Sequence, residues 1–213
     1  MYMAERDIAV DRDILDLYQS GQEEQAFKLF INQYQARLYS LAYRLLGNHD
    51  DAMDALQEIL LQLHRSLKNF KGQSGLYTWV YRLSSNVCLN FRRKMRKPGG
   101  QLEWTENLQQ AVLPVERPNE DPDTMCETKY SQFLIQQAVL KLPDSQRVPV
   151  VLHDLEGLSL AEIAAVLDSN PNAIKARLQR GRAALRRIIS KGFVVKGMEG
   201  VGVFTVGHTG KLM

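Results

Sequence analysis

The sequence lacks any long hydrophobic run, and no stretch approaches the roughly 18 to 20 apolar residues that a bilayer-spanning helix needs. Cysteine is scarce, since only Cys88 and Cys126 occur, and their spacing predicts neither a disulfide framework nor a zinc site. The four histidines show no HxxxH or HExxH spacing, so the sequence predicts no metal and no other cofactor. The N-terminus is too acidic and too polar for a secretory signal. We therefore expect a cytoplasmic protein without membrane insertion.

Acidic residues are also missing from the stretch between Asp168 and Lys191, where basic residues are frequent. Those basic residues are Lys175, Arg177, Arg180, Arg182, Arg186, Arg187 and Lys191. The formal net charge of +3 conceals this uneven distribution, because residues 1–97 carry +3, residues 98–127 carry −6 and residues 128–191 carry +5. The sequence therefore predicts two basic bodies joined by an acidic linker.

Two consecutive helices are predicted in the second basic body. Ser159 and Glu162 have the spacing of a capping box, which predicts a short helix ending at about Asp168. Asn170 followed by Pro171 predicts the N-cap and first position of a second helix. Two helices joined by a tight turn, the second one basic, are typical of a helix-turn-helix whose second helix enters the DNA major groove. The alternative is a helical hairpin whose basic residues only form a solvated face.

The N-terminal half shows three amphipathic segments. An apolar segment around Ile14 stops at Gly21, and a longer helix is predicted from about Gln22 to Leu46, with Gly47 as its C-cap. Asn48 then predicts the N-cap of a third helix, whose polar flank carries Asp50, Asp51, Asp54, Gln57 and Glu58. Spacing alone leaves two interpretations, a binding surface or a well-capped amphipathic helix with nothing bound.

A polar loop, Asn69 to Gly75, precedes an aromatic-rich helix that ends in basic residues. Unpaired bases stack on aromatic side chains while cations hold the backbone, so this composition suits the melting of a DNA duplex. Trp79 shares helical spacing with other apolar residues, which favours a core position, whereas Tyr77 and Tyr81 are less committed to the core. Further along, Pro149 lies inside a predicted helix and should kink or delay it.

Several of these stretches resemble bacterial RNA polymerase sigma factors of the extracytoplasmic-function (ECF) type. The resemblance rests on Asp51-Ala52-Met53-Asp54-Ala55-Leu56-Gln57-Glu58, Leu142-Pro143-Asp144-Ser145-Gln146-Arg147, Gly157-Leu158-Ser159 with Glu162-Ile163-Ala164, Ile174-Lys175-Ala176-Arg177-Leu178 and Arg180-Gly181-Arg182-Ala183-Ala184-Leu185. It covers about residues 10–97 and 124–190. The match departs at Ala173, at Pro171, which lies one place later than the family's turn proline, and at His64, where the family commonly has tryptophan.

The resemblance implies a role for each patterned stretch. Core RNA polymerase would bind Asp51, Asp54, Gln57 and Glu58. The minus-10 promoter element would contact Phe70, Lys71, Tyr77, Trp79, Asn86, Asn90 and Arg93, with the loop Phe70 to Leu76 forming a pocket for a flipped base. The minus-35 element would contact Asn172, Ala173, Lys175, Ala176, Arg177 and Arg180. An anti-sigma factor is a further implied partner, and no catalysis is implied.

The expected fold is all-α, with two small helical domains joined by a flexible acidic linker. The domains would span residues 10–97 and 124–191, with the linker at 98–123 and a Gly/Val-rich, disordered tail at 192–213. In the free protein the two domains are expected to close on each other and hide their DNA contacts until polymerase separates them. Two alternative functions remain at this point, a stand-alone helix-turn-helix regulator and a helical enzyme using Asp50, Asp51, Asp54 and Glu58 as a metal site.

Overall fold

The computed structural model describes residues 5–70, 72, 74–95 and 132–194, and these ranges contain helices and turns without any β-strand. The N-terminal half comprises α1 (Glu5–Gln19), α2 (Glu23–Leu46), α3 (His49–Leu67) and α4 (Leu76–Met95). The C-terminal half comprises α5 (132–140), α6 (Asp144–Val150), a π-helical turn (Val151–Leu155), α7 (Leu160–Val166) and α8 (Pro171–Val194). The all-α prediction is therefore confirmed.

The boundary between α2 and α3 follows directly from its capping residues. Gly47 adopts a left-handed conformation with φ of 97° and donates its N–H to the Tyr43 carbonyl, which ends α2. The Asn48 side chain accepts the Asp51 N–H at 2.8 Å, which starts α3. Gly47 is needed for a second reason, since a Cβ there would lie 2.7 Å from Leu140 Cδ1 on α5.

The first four helices bury an apolar core between α2, α3 and α4, and α1 packs against α2. Residues such as Phe30, Ile59 and Val80 are fully buried there. Tyr34 donates its hydroxyl proton to buried Asp11 on α1 at 2.5 Å. Because this bond lies inside the core, it fixes α1 on α2 in one register.

Pro149 changes the winding of α6 without delaying its start. Proline has no N–H to donate to the carbonyl four residues earlier, so one helical hydrogen bond is absent. The backbone then forms the π-helical turn, which has Glu156 as its C-cap. A close approach of α8 holds this region, since a Cβ on Gly181 would lie 2.7 Å from Val150 Cγ2.

The two halves pack on each other through one continuous apolar core. The chain is thus closed, as expected from the sequence. The α8 helix extends past residue 191 to Val194, so the first residues of the expected disordered tail are helical. The predicted linker (98–123), Cys126, Lys71 and the rest of the tail lie outside the described residues.

Candidate nucleic-acid and protein interfaces

The polar flank of α3 faces solvent, as its spacing predicts. Asp50, Asp54 and Gln57 are exposed, whereas Asp51 and Glu58 are half-buried. Asp51 takes part in the N-cap with Asn48, and Glu58 Oε1 accepts the Gln62 amide at 2.6 Å. These contacts preorganise two of the four candidate carboxylate and amide groups on the surface.

Sequence reasoning missed one residue on this face. Leu61 is 52% exposed, although leucine usually lies inside a folded protein. It follows Asp54 and Gln57 at positions i+7 and i+4, so all three lie on the same side of α3. That spacing was the signal that could have placed Leu61 on the acidic face.

The region from α7 to α8 has the geometry of a helix-turn-helix. The Ser159 N–H donates to Glu162 Oε2 at 2.8 Å and the Glu162 N–H donates to Ser159 Oγ at 3.2 Å, which completes the predicted capping box. Between the helices, Asp168 adopts a positive φ of 47° and the chain turns sharply. Asn170 Oδ1 then accepts the Ala173 N–H at 2.8 Å, so Asn170 is the N-cap of α8 as predicted.

The α8 helix presents a polar and basic face to solvent while burying Ile174, Leu178 and Leu185. Among the candidate minus-35 residues, Asn172, Lys175, Ala176 and Arg180 are exposed, and Ala173 and Arg177 are half-buried. Contrary to the expectation of hidden DNA contacts, the closed chain leaves this face accessible.

The sequence predicts Arg182 as part of the basic face, but the structure pairs it with Asp154. Its guanidinium forms two hydrogen bonds to Asp154, whose side chain is only 1% exposed, and one of them, from Nε, measures 3.0 Å. The hydrogen bonds to Asp154 raise the pKa of the guanidinium further above its usual value. Arg182 therefore ties α8 to the π-helical turn.

On α4, the candidate minus-10 residues Asn86, Asn90 and Arg93 form one exposed stripe at helical spacing. Arg93 donates to Asn90 Oδ1 at 2.9 Å, which couples the two side chains. Phe70 and Trp79 are half-buried and pack together with ring centroids 5.2 Å apart. The described part of the loop thus places an aromatic pair beside the start of α4.

The interpretation of Tyr77 and Tyr81 as less committed to the core than Trp79 is wrong. Tyr77 is 5% exposed and Tyr81 is fully buried, whereas Trp79 is half-buried. Their hydroxyls donate to Glu156 of the C-terminal half, from Tyr81 to Oε2 at 2.8 Å and from Tyr77 to the backbone carbonyl at 3.1 Å. Burial, with a smaller contribution from Glu156, raises the pKa of Tyr77 to about 12. A contact of Tyr77 with DNA therefore requires the halves to separate.

Arg147 is a structural residue that the sequence singled out only as part of a motif. It is 2% exposed, although charged side chains are rarely buried without partners. Its guanidinium donates to the carbonyls of Val139, Leu140 and Leu142 in its own half and to that of Leu45 in the other half. The side chain thus joins the α5–α6 corner to the end of α2.

No helix in the described ranges has both the length and the apolar character of a membrane span. The same ranges contain no group of three or more His, Cys, Asp or Glu side chains arranged to hold a metal ion. Cys88 is buried within α4, and burial raises the pKa of its thiol to about 12.

Each half of the chain matches a known protein family model. Residues 30–97 match the family model for sigma-70 region 2, and residues 132–185 match that for sigma-70 region 4. The chain is 33% identical over 176 residues to the ECF RNA polymerase sigma factor SigW of Bacillus subtilis, covering 78% of this chain and 89% of that protein. It is 28% identical over 179 residues to the ECF RNA polymerase sigma-E factor of Escherichia coli, covering 82% and 92%.

Solved structures show the same fold. CnrH, in complex with the cytosolic domain of CnrY, matches with a TM-score of 0.62 at 20% identity, covering 85% of this chain and 98% of that chain. The sigma factor RpoE of Bartonella quintana, in complex with the anti-sigma factor NepR, matches with a TM-score of 0.57 at 23% identity, covering 77% and 96%.

The order of the two matched regions, with a helix-turn-helix in the second, defines a sigma-70-type transcription initiation factor, a DNA-binding class whose members are not enzymes by themselves. Within that class, the identity to SigW over most of both chains shows that this protein belongs to the ECF sigma factors.

Proposed function

We propose that this ECF sigma factor binds core RNA polymerase through the exposed face of α3. Asp51, Asp54, Gln57 and Glu58 form a carboxylate-rich surface there, and the caps and the Gln62 hydrogen bond hold half of it in place. A basic surface on the polymerase would complement it. Complementary charge of this kind sets orientation and association rate more than affinity.

The minus-35 element would be read by the first half of α8. Residues near the N-terminus of a recognition helix reach base edges in the major groove. Asn172, Ala173, Lys175, Ala176, Arg177 and Arg180 lie there, and the side chains of Lys175 and Arg180 are exposed and basic. Asn172 would read a base edge with its amide, while the cations contact phosphate or guanine.

The minus-10 element would lie along α4. Asn86, Asn90 and Arg93 form an exposed stripe, which would face it. Phe70 and Lys71 in the loop before α4, with Trp79 in the first turn of α4, would hold an unpaired base, and Tyr77 would join them after the two halves separate. Stacking on an aromatic ring contributes about 1 to 3 kcal/mol per base, which offsets the cost of unpairing it.

An anti-sigma factor is proposed as the regulatory partner, acting in the cytoplasm where the polymerase is located. Support comes from the solved relatives, of which RpoE is in complex with an anti-sigma factor.

The observation that carries the proposal is the combination of an acidic face on α3 and a basic helix-turn-helix in one chain that matches both sigma-70 regions. Run-off transcription with purified core polymerase on genomic fragments tests it, using wild-type protein and an Asp54→Ala/Glu58→Ala variant. We expect discrete transcripts with wild type and at least about tenfold fewer with the variant, as expected when two interface charges are lost. A matched Asp13→Ala/Glu24→Ala variant removes the same charge from α1 and α2 and should behave as wild type.

The alternative is a stand-alone helix-turn-helix regulator. It would be identified if core polymerase with wild-type protein gave no transcript on any fragment, while the protein alone retarded duplex DNA.

A further inference from the structure

The π-helical turn after Pro149 brings Asp154 into the interior of the C-terminal half. Pro149 has no N–H, and the winding changes from the α-helical to the wider π-helical form at Val151. The Glu156 N–H closes the wider turn by donating to the Val151 carbonyl at 3.0 Å. Each extra residue in a turn rotates the side chains that follow by about 100° relative to an uninterrupted α-helix. Near the end of this turn, the Asp154 side chain is only 1% exposed.

Asp154 is paired with Arg182 of α8 through two hydrogen bonds. Arg182 Nε donates to Asp154 Oδ2 at 3.0 Å, and Arg182 Nη2 donates to Oδ1. A guanidinium that uses two donors on the two oxygens of one carboxylate is fixed in direction as well as in distance. Because the carboxylate is buried, water does not compete for these bonds. The pair therefore opposes rotation of α8 against the π-helical turn.

A steric contact lies beside this pair. Gly181 is buried, and a Cβ there would lie 2.7 Å from Val150 Cγ2 and 3.3 Å from the Gln146 carbonyl oxygen. The backbone of α8 thus packs directly against α6 at this position. The steric contact sets the distance between the two helices, and the ion pair at the next residue, Arg182, sets the orientation of α8.

The pair lies one and a half turns or more away from the proposed base-reading residues, so its effect on them grows with distance. Arg182 and Asn172 are separated by about 15 Å along α8, since an α-helix rises about 1.5 Å per residue. A tilt of α8 by about 10° at Arg182 would move Asn172 by about 2.6 Å, given that length. A hydrogen bond to a base edge needs a donor–acceptor distance of about 2.7 to 3.2 Å, so such a shift would break it. A small loss of orientation at the pair therefore removes base contacts while α8 itself stays helical.

We propose that Asp154 and Arg182 are positioning residues for minus-35 recognition, which hold α8 at the angle at which its first half reaches base edges. The inference rests on the proposed function of α8 in minus-35 recognition. Arg182 contributes through orientation, since Asp154 engages its guanidinium and matches its charge. The cations that contact DNA are instead the exposed ones, such as Lys175 and Arg180.

The test measures how strongly the holoenzyme distinguishes an intact minus-35 element from a scrambled one. Holoenzyme with the full-length sigma factor binds a labelled promoter fragment found by run-off transcription, or the same fragment with that element scrambled. The ratio of the two dissociation constants gives the selectivity. Asp154→Asn keeps the shape of the side chain and removes a negative charge, which by charge alone would strengthen binding to any DNA. The positioning role predicts instead that the selectivity falls about tenfold, as when one base contact is lost.

Two further variants separate orientation from charge. Arg182→Lys keeps the positive charge but cannot form the two-donor fork, so we expect a similar loss of selectivity, about tenfold. The salt dependence of its binding should equal that of wild type, because no phosphate contact is lost. The matched control is Arg187→Gln, which removes an exposed charge from the same helix without touching the pair. It should weaken binding to both fragments alike and keep the selectivity within about twofold of wild type.

Wild-type selectivity in folded Asp154→Asn would overturn the positioning role, because a loss in Arg182→Lys alone would identify a direct contact of Arg182 with DNA. An equal loss of affinity for both fragments would also overturn it, since that result identifies a pair that only stabilises the fold. If circular dichroism shows that Asp154→Asn is unfolded, Arg182→Lys decides, and unchanged selectivity there overturns the proposal. Failure of the proposed function is distinguishable, because wild-type holoenzyme would then show no preference for the intact element.

Discussion

At the residue scale, two side chains lie in environments that are unusual for their type. Arg147 is charged yet buried, and Leu61 is apolar yet exposed. Single exposed apolar residues are common on proteins. The position of Leu61 beside Asp54 and Gln57 on α3 nevertheless makes it the apolar part of the proposed polymerase-binding face.

Substitution of Leu61 by alanine should weaken the complex with core polymerase mainly by faster dissociation. Loss of the buried apolar area of one leucine costs about 1 to 1.5 kcal/mol, or about a five- to tenfold increase in dissociation rate. Surface plasmon resonance with immobilised core measures this rate. Ile8→Ala, which changes another exposed large apolar residue, on α1, is the control and should have the wild-type rate. Equal dissociation rates for the two variants would remove Leu61 from the interface.

Substitution of Arg147 by methionine should lower the free energy of unfolding by about 3 to 5 kcal/mol, because it leaves buried carbonyls without donors. These are the carbonyls of Val139, Leu140, Leu142 and Leu45. Urea unfolding followed by circular dichroism measures the loss. Arg65→Met, at an exposed position on α3, should change stability by less than about 0.5 kcal/mol. A loss equally small for Arg147→Met would contradict the assigned role.

At the element scale, the helix boundaries depend on local chemistry, and for that reason the sequence predicts them well. Gly47, Asn48, the Ser159–Glu162 capping box and the Asn170–Pro171 start of α8 all act within one turn of their own position. Pro149 shows the limit of this reasoning. Its missing donor is visible in the sequence, but the π-helical turn that follows depends on packing against α8.

Gly47→Ala should destabilise the protein by about 1 to 3 kcal/mol, because alanine is strained at positive φ and its Cβ would crowd Leu140. Thermal unfolding compares it with Gly75→Ala, where a Cβ meets nothing within 4 Å and no positive φ occurs. We expect the Gly75 variant to unfold near the wild-type temperature. If both variants unfold at similar temperatures, α2 and α5 pack less closely at Gly47 and Leu140 than the structure indicates.

At the scale of the whole molecule, the sequence predicts two helical halves and their closure but not the surfaces that meet. Tyr77 and Tyr81 lie on α4 at spacings that fit either a core or a DNA-binding face. Their partner, Glu156, is 75 or more residues away in the chain, and no local pattern reports such a contact. The proposed minus-35 face is different, because α8 carries its own polar side and keeps it exposed in the closed chain.

We propose above all that one chain, once bound to polymerase, contacts two promoter elements and opens the second. Footprinting of the holoenzyme on a promoter found by run-off transcription tests it most directly, with DNase I for protection and permanganate for unpaired thymines. We expect two protected segments whose centres lie about 25 base pairs apart, with unpaired thymines only in the downstream one. The protein without polymerase should give neither signal. A single protected segment with no reactive thymines, or the same pattern without polymerase, would contradict the account.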